Sequence, residues 1–193
     1  MDRVAELRRS ATLIIWLVPP GVELSTDRLR DRSGVSQQLM SAVDATVLVN
    51  GLPVPGSSQE LGDVWAVTRA ARGLLHQILF DGLVCIDLAD IKTVLLGSDR
   101  SPLLHFSISS QLAAPPKAWW PAECVFRKVT EVMISTIMPD QKNMLLNFDD
   151  FAKAMLNQID ENATCLASCG IKKMGTHFEA EVYVRFSLRA FTV

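Results

Sequence analysis

Short apolar runs near the start of the chain have the pattern of buried strands. Thr12 to Val18 is apolar and rich in β-branched residues, which is typical of a strand buried on both faces. Ala45 to Val49 is a second such run, and it ends at an Asn-Gly pair. Between the two runs, Ser25 or Thr26 suits the N-cap of a helix that is predicted to end near Val43.

The longest periodic segment predicts the longest helix. From about Gln59 to Phe80, apolar residues recur at intervals of three and four, and no proline interrupts them. A helix of roughly 22 residues is about 33 Å long, enough to cross a whole domain. The preceding segment, Leu52 to Ser58, contains two prolines, a glycine and two serines, and it predicts a loop. The apolar positions of the helix are Leu61, Val64, Trp65, Thr68, Ala71, Leu75, Ile78 and Leu79.

The rest of the chain predicts further strands and helices. Glu181 to Phe186 alternates cleanly between polar and apolar residues, which indicates a strand. Gly175 suits a hairpin turn between the last two strands, and we expect the C-terminal half to form a mixed sheet with helices on one face. The predicted strands are Pro102 to Ile108, Asn143 to Phe148, Thr164 to Ile171 and Ala180 to Phe191. The predicted helices are a short one ending at Leu96, Ala122 to Met138, and Asp149 or Asp150 to Asp160.

Two adjacent tryptophans, Trp119 and Trp120, lie in a proline-rich segment that predicts a loop from residue 110 to residue 121. Tryptophan commonly packs in a core while its N–H finds a partner. An exposed pair would instead mark a contact surface. Both alternatives remain open from the sequence, and the second makes the pair a candidate interface.

Composition narrows the class of protein. The 193 residues are 49% hydrophobic and 21% charged, as in an ordinary folded domain, or one domain with an appendage. A net charge of -2 gives no general attraction to nucleic acid or anionic membranes. The four cysteines form no Cys-x-x-Cys pair and only three histidines are present, so we expect no metal site and a reduced, cytoplasmic location. The apolar run near the start is short for a signal peptide, and no run is long enough to span a bilayer.

Two carboxylates, Asp87 and Asp90, lie three residues apart where the long helix gives way to the short one. The spacing puts both on one face if the second helix starts here. Aspartate is also favoured as an N-cap, because its carboxylate accepts hydrogen bonds from otherwise unpaired backbone N–H groups. The pair therefore fits a capped helix, and only its surroundings can indicate a function on a neighbouring molecule.

Those surroundings resemble FtsZ, the bacterial cell-division GTPase of the tubulin superfamily. Residues 82–94 are similar to the family's synergy loop, Gly-Leu-Ile-Asn-Leu-Asp-Phe-Ala-Asp-Val-Arg-Thr-Ile. The resemblance begins near Ala11 and runs to the end of the chain, with further matching segments at residues 44–50, 62–65, 73–78, 160–164 and 184–190.

The resemblance implies an α/β (α+β) fold in three parts. Residues 1–58 would be a remnant of the nucleotide domain, residues 59–81 the central helix, and residues 82–193 an FtsZ C-terminal-like domain. That last part would hold a four-stranded mixed sheet with helices.

The resemblance also implies roles for individual residues. In FtsZ filaments the synergy-loop carboxylates of one subunit enter the nucleotide pocket of the next and position or polarise the attacking water, so Asp87 and Asp90 are predicted to act in trans. Gly82 and Cys85 belong to the same loop and are predicted interface residues, with Cys85 standing where the family has Asn. Asp63 falls where the family's central helix places an Asp against the guanine base, which makes it a vestigial nucleotide residue or simply a helix-start residue.

No Gly-Gly-Gly-Thr-Gly-Thr-Gly phosphate loop occurs in the sequence, and no other run of glycines could cradle phosphates. We therefore expect no cofactor on the chain alone, and GTP only through a partner subunit. The leading hypothesis is a non-GTP-binding FtsZ-like protein that binds or modulates FtsZ or another tubulin-like partner. One alternative is a self-assembling homo-oligomer or half of a split FtsZ-like protein. A lesser one is a small-molecule enzyme with an interface pocket, although no Ser-His-Asp, Cys-His or metal cluster is visible.

Overall fold

The computed structural model describes residues 11–20, 43–50, 59–79, 86–97, 101–110, 129–140, 144–157, 159–172 and 177–186. Six strands and three helices lie in these ranges. In chain order they are β1 (Ile15–Val18), β2 (Ala45–Val49), α1 (Gln59–Leu79), α2 (Leu88–Leu96), β3 (Leu103–Ser110), β4 (Val129–Pro139), α3 (Met144–Leu156), β5 (Thr164–Lys172) and β6 (Phe178–Phe186).

The six strands form one mixed sheet in the order β1-β2-β3-β6-β4-β5. The strands β1, β2 and β3 are parallel, β6 runs antiparallel to both of its neighbours, and β4 and β5 are parallel. The mixed α/β class is confirmed. The predicted four-stranded sheet is present as β3, β6, β4 and β5, and the two N-terminal strands extend it, with Val47 in register with Leu103. The division of the chain into three parts stays a prediction.

Several elements match their predictions closely. The strand β2 and the helix α1 begin where the sequence indicates, and β1, β3 and β5 differ from the predicted strands by a few residues. The strand β6 is described as far as Phe186. The predicted helix ending near Val43 and the predicted loop Leu52 to Ser58 lie outside the described residues, apart from Val43 itself.

The predicted helix Ala122 to Met138 is wrong over its described part, because residues 129–139 form the strand β4. This strand lies between β5 and β6 and is buried on both faces along nearly its whole length. A strand buried on both faces has a continuous apolar run rather than alternation, and such a run cannot be distinguished from a buried helix by periodicity. Its β-branched Val132, Ile134 and Thr136 favour the strand.

The predicted strand Asn143 to Phe148 is also wrong, because α3 begins at Met144 and ends at Leu156. The helix places Met144, Phe148, Phe151 and Met155 at intervals of three and four, and this face packs on the sheet. The apolar residues that predicted a strand are the first residues of the amphipathic helix α3. The helix predicted from Asp149 or Asp150 therefore exists, but it begins earlier and ends before Asp160.

The predicted hairpin between the last two strands is not formed. The strand β4 lies between β5 and β6 and pairs with both of them. The connection from β5 to β6 therefore passes over a strand instead of joining neighbours, and Gly175 itself lies outside the described residues.

Helices pack on both faces of the sheet. The prediction of helices on one face concerned the C-terminal half, where α3 is the one helix among the described residues and lies on one face. On one face, Phe151 and Met155 of α3 contact a core that includes Val132 and Val182. On the other, α1 and α2 cover a second core. Successive residues of β4 and β6 belong to different cores, as the pleat of a strand requires. The second core contains Ala45, Val47, Leu74, Ile91, Val94, Leu95, Leu103, Met133 and Tyr183.

The helix α1 crosses the sheet and contacts β1, β2, β3, β6 and β4, as its predicted length allows. Its packed face consists mostly of small or polar residues, including Ala66, Ala70 and Gly73, and also contains Leu74. Of the apolar positions that predict the helix, Val64, Trp65, Leu75, Ile78 and Leu79 lie on the opposite face and are exposed. Small side chains on the packed face let the helix axis approach the strands closely.

Candidate functional site

Asp87 and Asp90 form a capping box at the start of α2. Asp87 is the N-cap residue, with φ −89° and ψ 167°, and its Oδ1 accepts a hydrogen bond from the backbone N of Asp90 at 2.8 Å. In return, Oδ2 of Asp90 accepts from the backbone N of Asp87 at 3.3 Å. The capping alternative that the sequence left open is therefore what the structure shows. A role of the pair in trans stays a prediction.

The capping box leaves the pair accessible. Both aspartates are exposed, and each uses one carboxylate oxygen in the box. Among the described residues, the second oxygen of each accepts no hydrogen bond, so it faces water or a docked molecule. Both carboxylates lie beside the positive end of the helix dipole. Two negative charges are thus held in fixed positions on the surface.

Burial of one face of α2 fixes the helix that carries the pair. Ile91, Val94 and Leu95 are each at most 1% exposed and pack in the core beneath α1 and α2. Asp87 and Asp90 lie one turn before Ile91 and Val94, at the N-terminal end of α2, where both are exposed. Fully burying three such side chains contributes about 1.5–3 kcal/mol each.

The C-terminal end of α2 is held by Arg185 of β6. This arginine is 1% exposed, and its Nη2 donates to the carbonyl oxygens of Leu95 at 2.7 Å and Val94 at 3.1 Å. Its Nη1 donates to the carbonyl of Ser101, and its Nε lies 2.7 Å from Oε2 of Glu131. A cation beside the last carbonyls of a helix satisfies acceptors that have no partner within the helix. Arg185 therefore joins α2 to two strands of the sheet.

Gly97 makes room for that arginine. It ends α2 with φ +56°, a backbone conformation that residues with a Cβ rarely adopt, and its N–H donates to the carbonyl of Thr93 at 3.1 Å. A Cβ on Gly97 would lie 2.6 Å from Cζ of Arg185. Both backbone conformation and space require glycine at this position.

A second polar network lies between α1 and the sheet, around Glu181. Its Oε2 accepts from Nε2 of His105 at 2.9 Å and from the hydroxyl of Ser107 at 2.5 Å. Its Oε1 accepts from Nε of Arg69 at 2.8 Å. Glu181 is 2% and His105 0% exposed, so this carboxylate is stabilised by partners rather than by water.

The partners of Glu181 outweigh its burial. Burial acts to raise the pKa of this carboxyl, but the hydrogen bond from His105, the positive charge of Arg69 and the hydrogen bond from Ser107 hold the pKa below its usual value of 4.5. Burial likewise opposes ionisation of Glu179, whose pKa is held below 4.5 by Lys172 and Arg72. Both carboxylates are therefore charged at neutral pH.

The sequence did not single out these two networks. Glu181, Tyr183 and Arg185 alternate with apolar residues in β6, the usual pattern of a strand with one solvated face. In the structure both faces of β6 are covered, so the polar residues are buried. The signal for a buried polar network is a polar face on a strand that lies in the middle of the sheet. The central position of β6 could not be inferred from the order of elements along the sequence.

The other predicted site residues are not brought to the Asp87 and Asp90 pair within the described part of the chain. Asp63 is partly buried near the start of α1, and no hydrogen bond or ion pair between described residues joins it to either aspartate. Gly82, Cys85, Trp119 and Trp120 lie outside the described residues. Their assignment to an interface stays a prediction.

Two further classes of site are absent from the described ranges. No three or more His, Cys, Asp or Glu side chains there are grouped so that they could hold a metal ion. None of the helices α1, α2 and α3 combines the length and the apolar character needed to cross a membrane.

Comparison with solved structures gives close agreement in fold at low sequence identity. An FtsZ dimer from M. jannaschii matches with a TM-score of 0.66 and 18% identity over 97% of this chain and 58% of that chain. The W319Y mutant of the same FtsZ matches with a TM-score of 0.69 and 17% identity, over 97% of this chain and 60% of that chain. CetZ from Methanosaeta thermophila matches with a TM-score of 0.56 and 18% identity, over 95% of this chain and 55% of that chain.

The chain thus spans less than two thirds of the length of these neighbours. No protein-family model and no curated protein matches its sequence. The agreement therefore concerns the fold. Over almost its whole length, the chain has the fold of the corresponding part of FtsZ and CetZ.

Proposed function

We propose that this chain binds the nucleotide-exposing end of a tubulin-like partner through the N-terminal end of α2 and modulates the partner's GTP turnover. The observation that carries the proposal is the exposed, fixed carboxylate pair Asp87 and Asp90 on an FtsZ-like fold. The sequence around the pair resembles the synergy loop, while no glycine-rich phosphate loop accompanies it. A chain of this kind would supply the part of the site that reaches across a subunit contact.

The geometry suits action on water rather than on a bound nucleotide. Phosphoryl transfer depends mainly on in-line placement of the nucleophile and on charge stabilisation. A carboxylate with one oxygen held by a backbone N–H and the other open can accept a hydrogen bond from an attacking water. The capping box fixes both side chains, so less conformational entropy is lost when they dock.

Stimulation and passive capping are the two forms that this modulation can take. Stimulation requires a carboxylate to reach the attacking water. Capping requires only that the chain occupy the end of the partner, where it blocks addition of the next subunit. Cys85 replaces the family's Asn and lacks the amide that could hydrogen-bond a phosphate, which favours capping.

The experiment compares GTP turnover and sedimentation of FtsZ from the same organism with and without this chain. The variants are Asp87→Asn and Asp90→Asn, singly and together. Asparagine caps helices about as well as aspartate, whereas alanine costs about 1 kcal/mol, so asparagine removes the charge and keeps the helix. Asp140→Asn, an exposed carboxylate on the turn after β4, is the matched control.

The outcomes separate the two forms. General-base assistance by a positioned carboxylate contributes about 10²–10⁴-fold to a rate. Stimulation by the wild type should therefore be largely lost in the Asp87→Asn, Asp90→Asn double variant and kept in Asp140→Asn. Equal inhibition by all of them indicates capping without chemistry. No change in either turnover or sedimentation with the wild type would refute the proposal.

Self-assembly remains the second candidate, and the position of β1 favours it. The strand β2 has a neighbour on each side, β1 and β3. The strand β1 is at the edge of the sheet, with no strand on its outer side among the described residues. Unpaired strand edges invite pairing with another chain.

A further inference from the structure

The outer face of α1 carries large apolar side chains that remain exposed. Fractional exposures on this face run from 41% for Ile78 to 67% for Leu79. Scattered apolar residues on a surface are ordinary, but a contiguous patch of several hundred Å² marks an interaction site. The exposed residues are Val64, Trp65, Leu75, Ile78 and Leu79.

The spacing on this face is that of a coiled-coil seam. Its central positions follow one another at intervals of four, three, four and three residues. A repeat of this kind presents a narrow stripe into which the side chains of a second helix fit. The central positions are Val64, Thr68, Ala71, Leu75 and Ile78, with Trp65, Arg72 and Leu79 beside them.

We propose that the second helix is α1 of another copy of this chain, paired antiparallel about a two-fold axis between Ala71 and Arg72. An isologous interface uses the same patch on both subunits, so the patch must complement itself. Pairing about this axis places the large side chains against apolar residues of the second copy. The small side chain of Ala71 lies beside the axis. The facing pairs are Val64 with Leu79 of the second copy, Trp65 with Ile78, and Thr68 with Leu75.

The charge near the axis is compensated within each copy. Arg72 is the charged residue closest to the axis on this face, and two like charges facing each other would oppose pairing. Its Nη2 lies 2.5 Å from Oε2 of Glu179 and 3.7 Å from Oε1 of Glu181. Each guanidinium therefore turns toward its own sheet, which leaves its apolar stem available for packing.

The area of the patch is that of a modest dimer. With ordinary side-chain areas, the five exposed apolar residues present roughly 500 Å² per copy. Apolar atoms make up about 56–65% of a protein interface, so the corresponding contact is roughly 800 Å² per copy, the standard size. The patch, together with the polar atoms around it, is therefore large enough for a dimer.

The first test measures the oligomeric state of the full chain by sedimentation equilibrium from roughly 1 to 100 µM, a range that covers moderate to weak association. We expect a dimer for the wild type. Leu75→Glu puts a charge into the seam at a half-exposed position, so the monomer should still fold, and the dissociation constant should rise at least tenfold. Leu145→Glu changes a 58% exposed leucine of α3 and is the matched control that should leave the dimer intact.

The second test examines the antiparallel register. Thr68 faces Leu75 of the second copy, so a Thr68→Lys chain mixed with a Leu75→Glu chain forms one Lys–Glu pair across the seam. The mixture should associate more tightly than either variant alone. A parallel pairing would place equivalent positions together and give no such rescue.

The results decide the proposal directly. A wild-type chain that is monomeric at 100 µM would overturn the proposal. The exposed face of α1 would then be covered by another segment of the same chain or bind a different protein. A dimer that Leu75→Glu does not weaken would also overturn it, because another surface would then hold the copies together. Neither result bears on the carboxylates of α2, whose test measures the GTP turnover of a partner.

Discussion

Removal of the Arg185 side chain should destabilise the protein strongly. Arg185→Met keeps much of the apolar stem but removes a guanidinium that is 1% exposed. The change takes away the cation 2.7 Å from Glu131 and the donors to the carbonyls of Val94, Leu95 and Ser101. Breaking a buried ion pair by removing one partner costs about 3–5 kcal/mol, chiefly because the other charge loses its compensation.

That magnitude is a large fraction of the stability of an ordinary domain, which is about 5–15 kcal/mol. The assay is urea unfolding followed by circular dichroism. With a dependence of about 2 kcal/mol per molar urea, the midpoint should fall by about 2 M. Lys153→Met removes a cation from a fully exposed ion pair with Asp149 and should leave the midpoint unchanged.

A milder variant covers the case in which Arg185→Met does not fold. Arg185→Lys keeps a positive charge near Glu131 but cannot reproduce the planar fork that reaches several carbonyls. We expect its midpoint to fall between those of Arg185→Met and the wild type. An Arg185→Lys protein as stable as the wild type would refute the argument that these carbonyl contacts hold α2.

Two further predictions concern neighbouring positions and pH. Gly97→Ala should destabilise by about 1–3 kcal/mol in thermal unfolding, because it combines a positive φ with a clash against Arg185, whereas Gly62→Ala, with open space around the new Cβ, should not destabilise. Stability should fall as the pH drops below 4.5, because Glu181 and Glu179 have lowered pKa values in the folded state. Their contribution is present above the unfolded pKa and is lost as pH falls through the folded pKa. In urea unfolding at several pH values, Glu181→Gln should show a smaller loss in acid, and an unchanged acid slope would contradict this assignment.

Local signals predicted the elements that depend on local chemistry. The helix α1 follows from periodicity without a proline, and the start of α2 follows from the capping chemistry of Asp87. The strand β4 was missed because its burial on two faces removes the alternation that identifies a strand. That burial depends on its position between β5 and β6, which only the tertiary structure sets.

The polar networks were beyond sequence reasoning for a related reason. Arg69 and Glu181 are 112 residues apart, and His105 and Glu181 are 76 apart. No spacing rule connects such positions, since their contact follows from strand order and from the path of α1 across the sheet. The exposed face of α1 shows the same limit, because periodicity indicates a stripe but not which side packs on the sheet.

The two ends of α2 are held by separate contacts, and this separation makes the carboxylate pair open to testing. The C-terminal end depends on Arg185 and the buried side chains Val94 and Leu95. The N-terminal end depends on the exposed capping box, which asparagine can preserve. Charge at Asp87 and Asp90 can therefore be removed while the helix stays in place. A change in partner GTP turnover without a change in the urea midpoint would be an effect of the carboxylates themselves, whereas a parallel loss of both would trace the effect to displacement of α2.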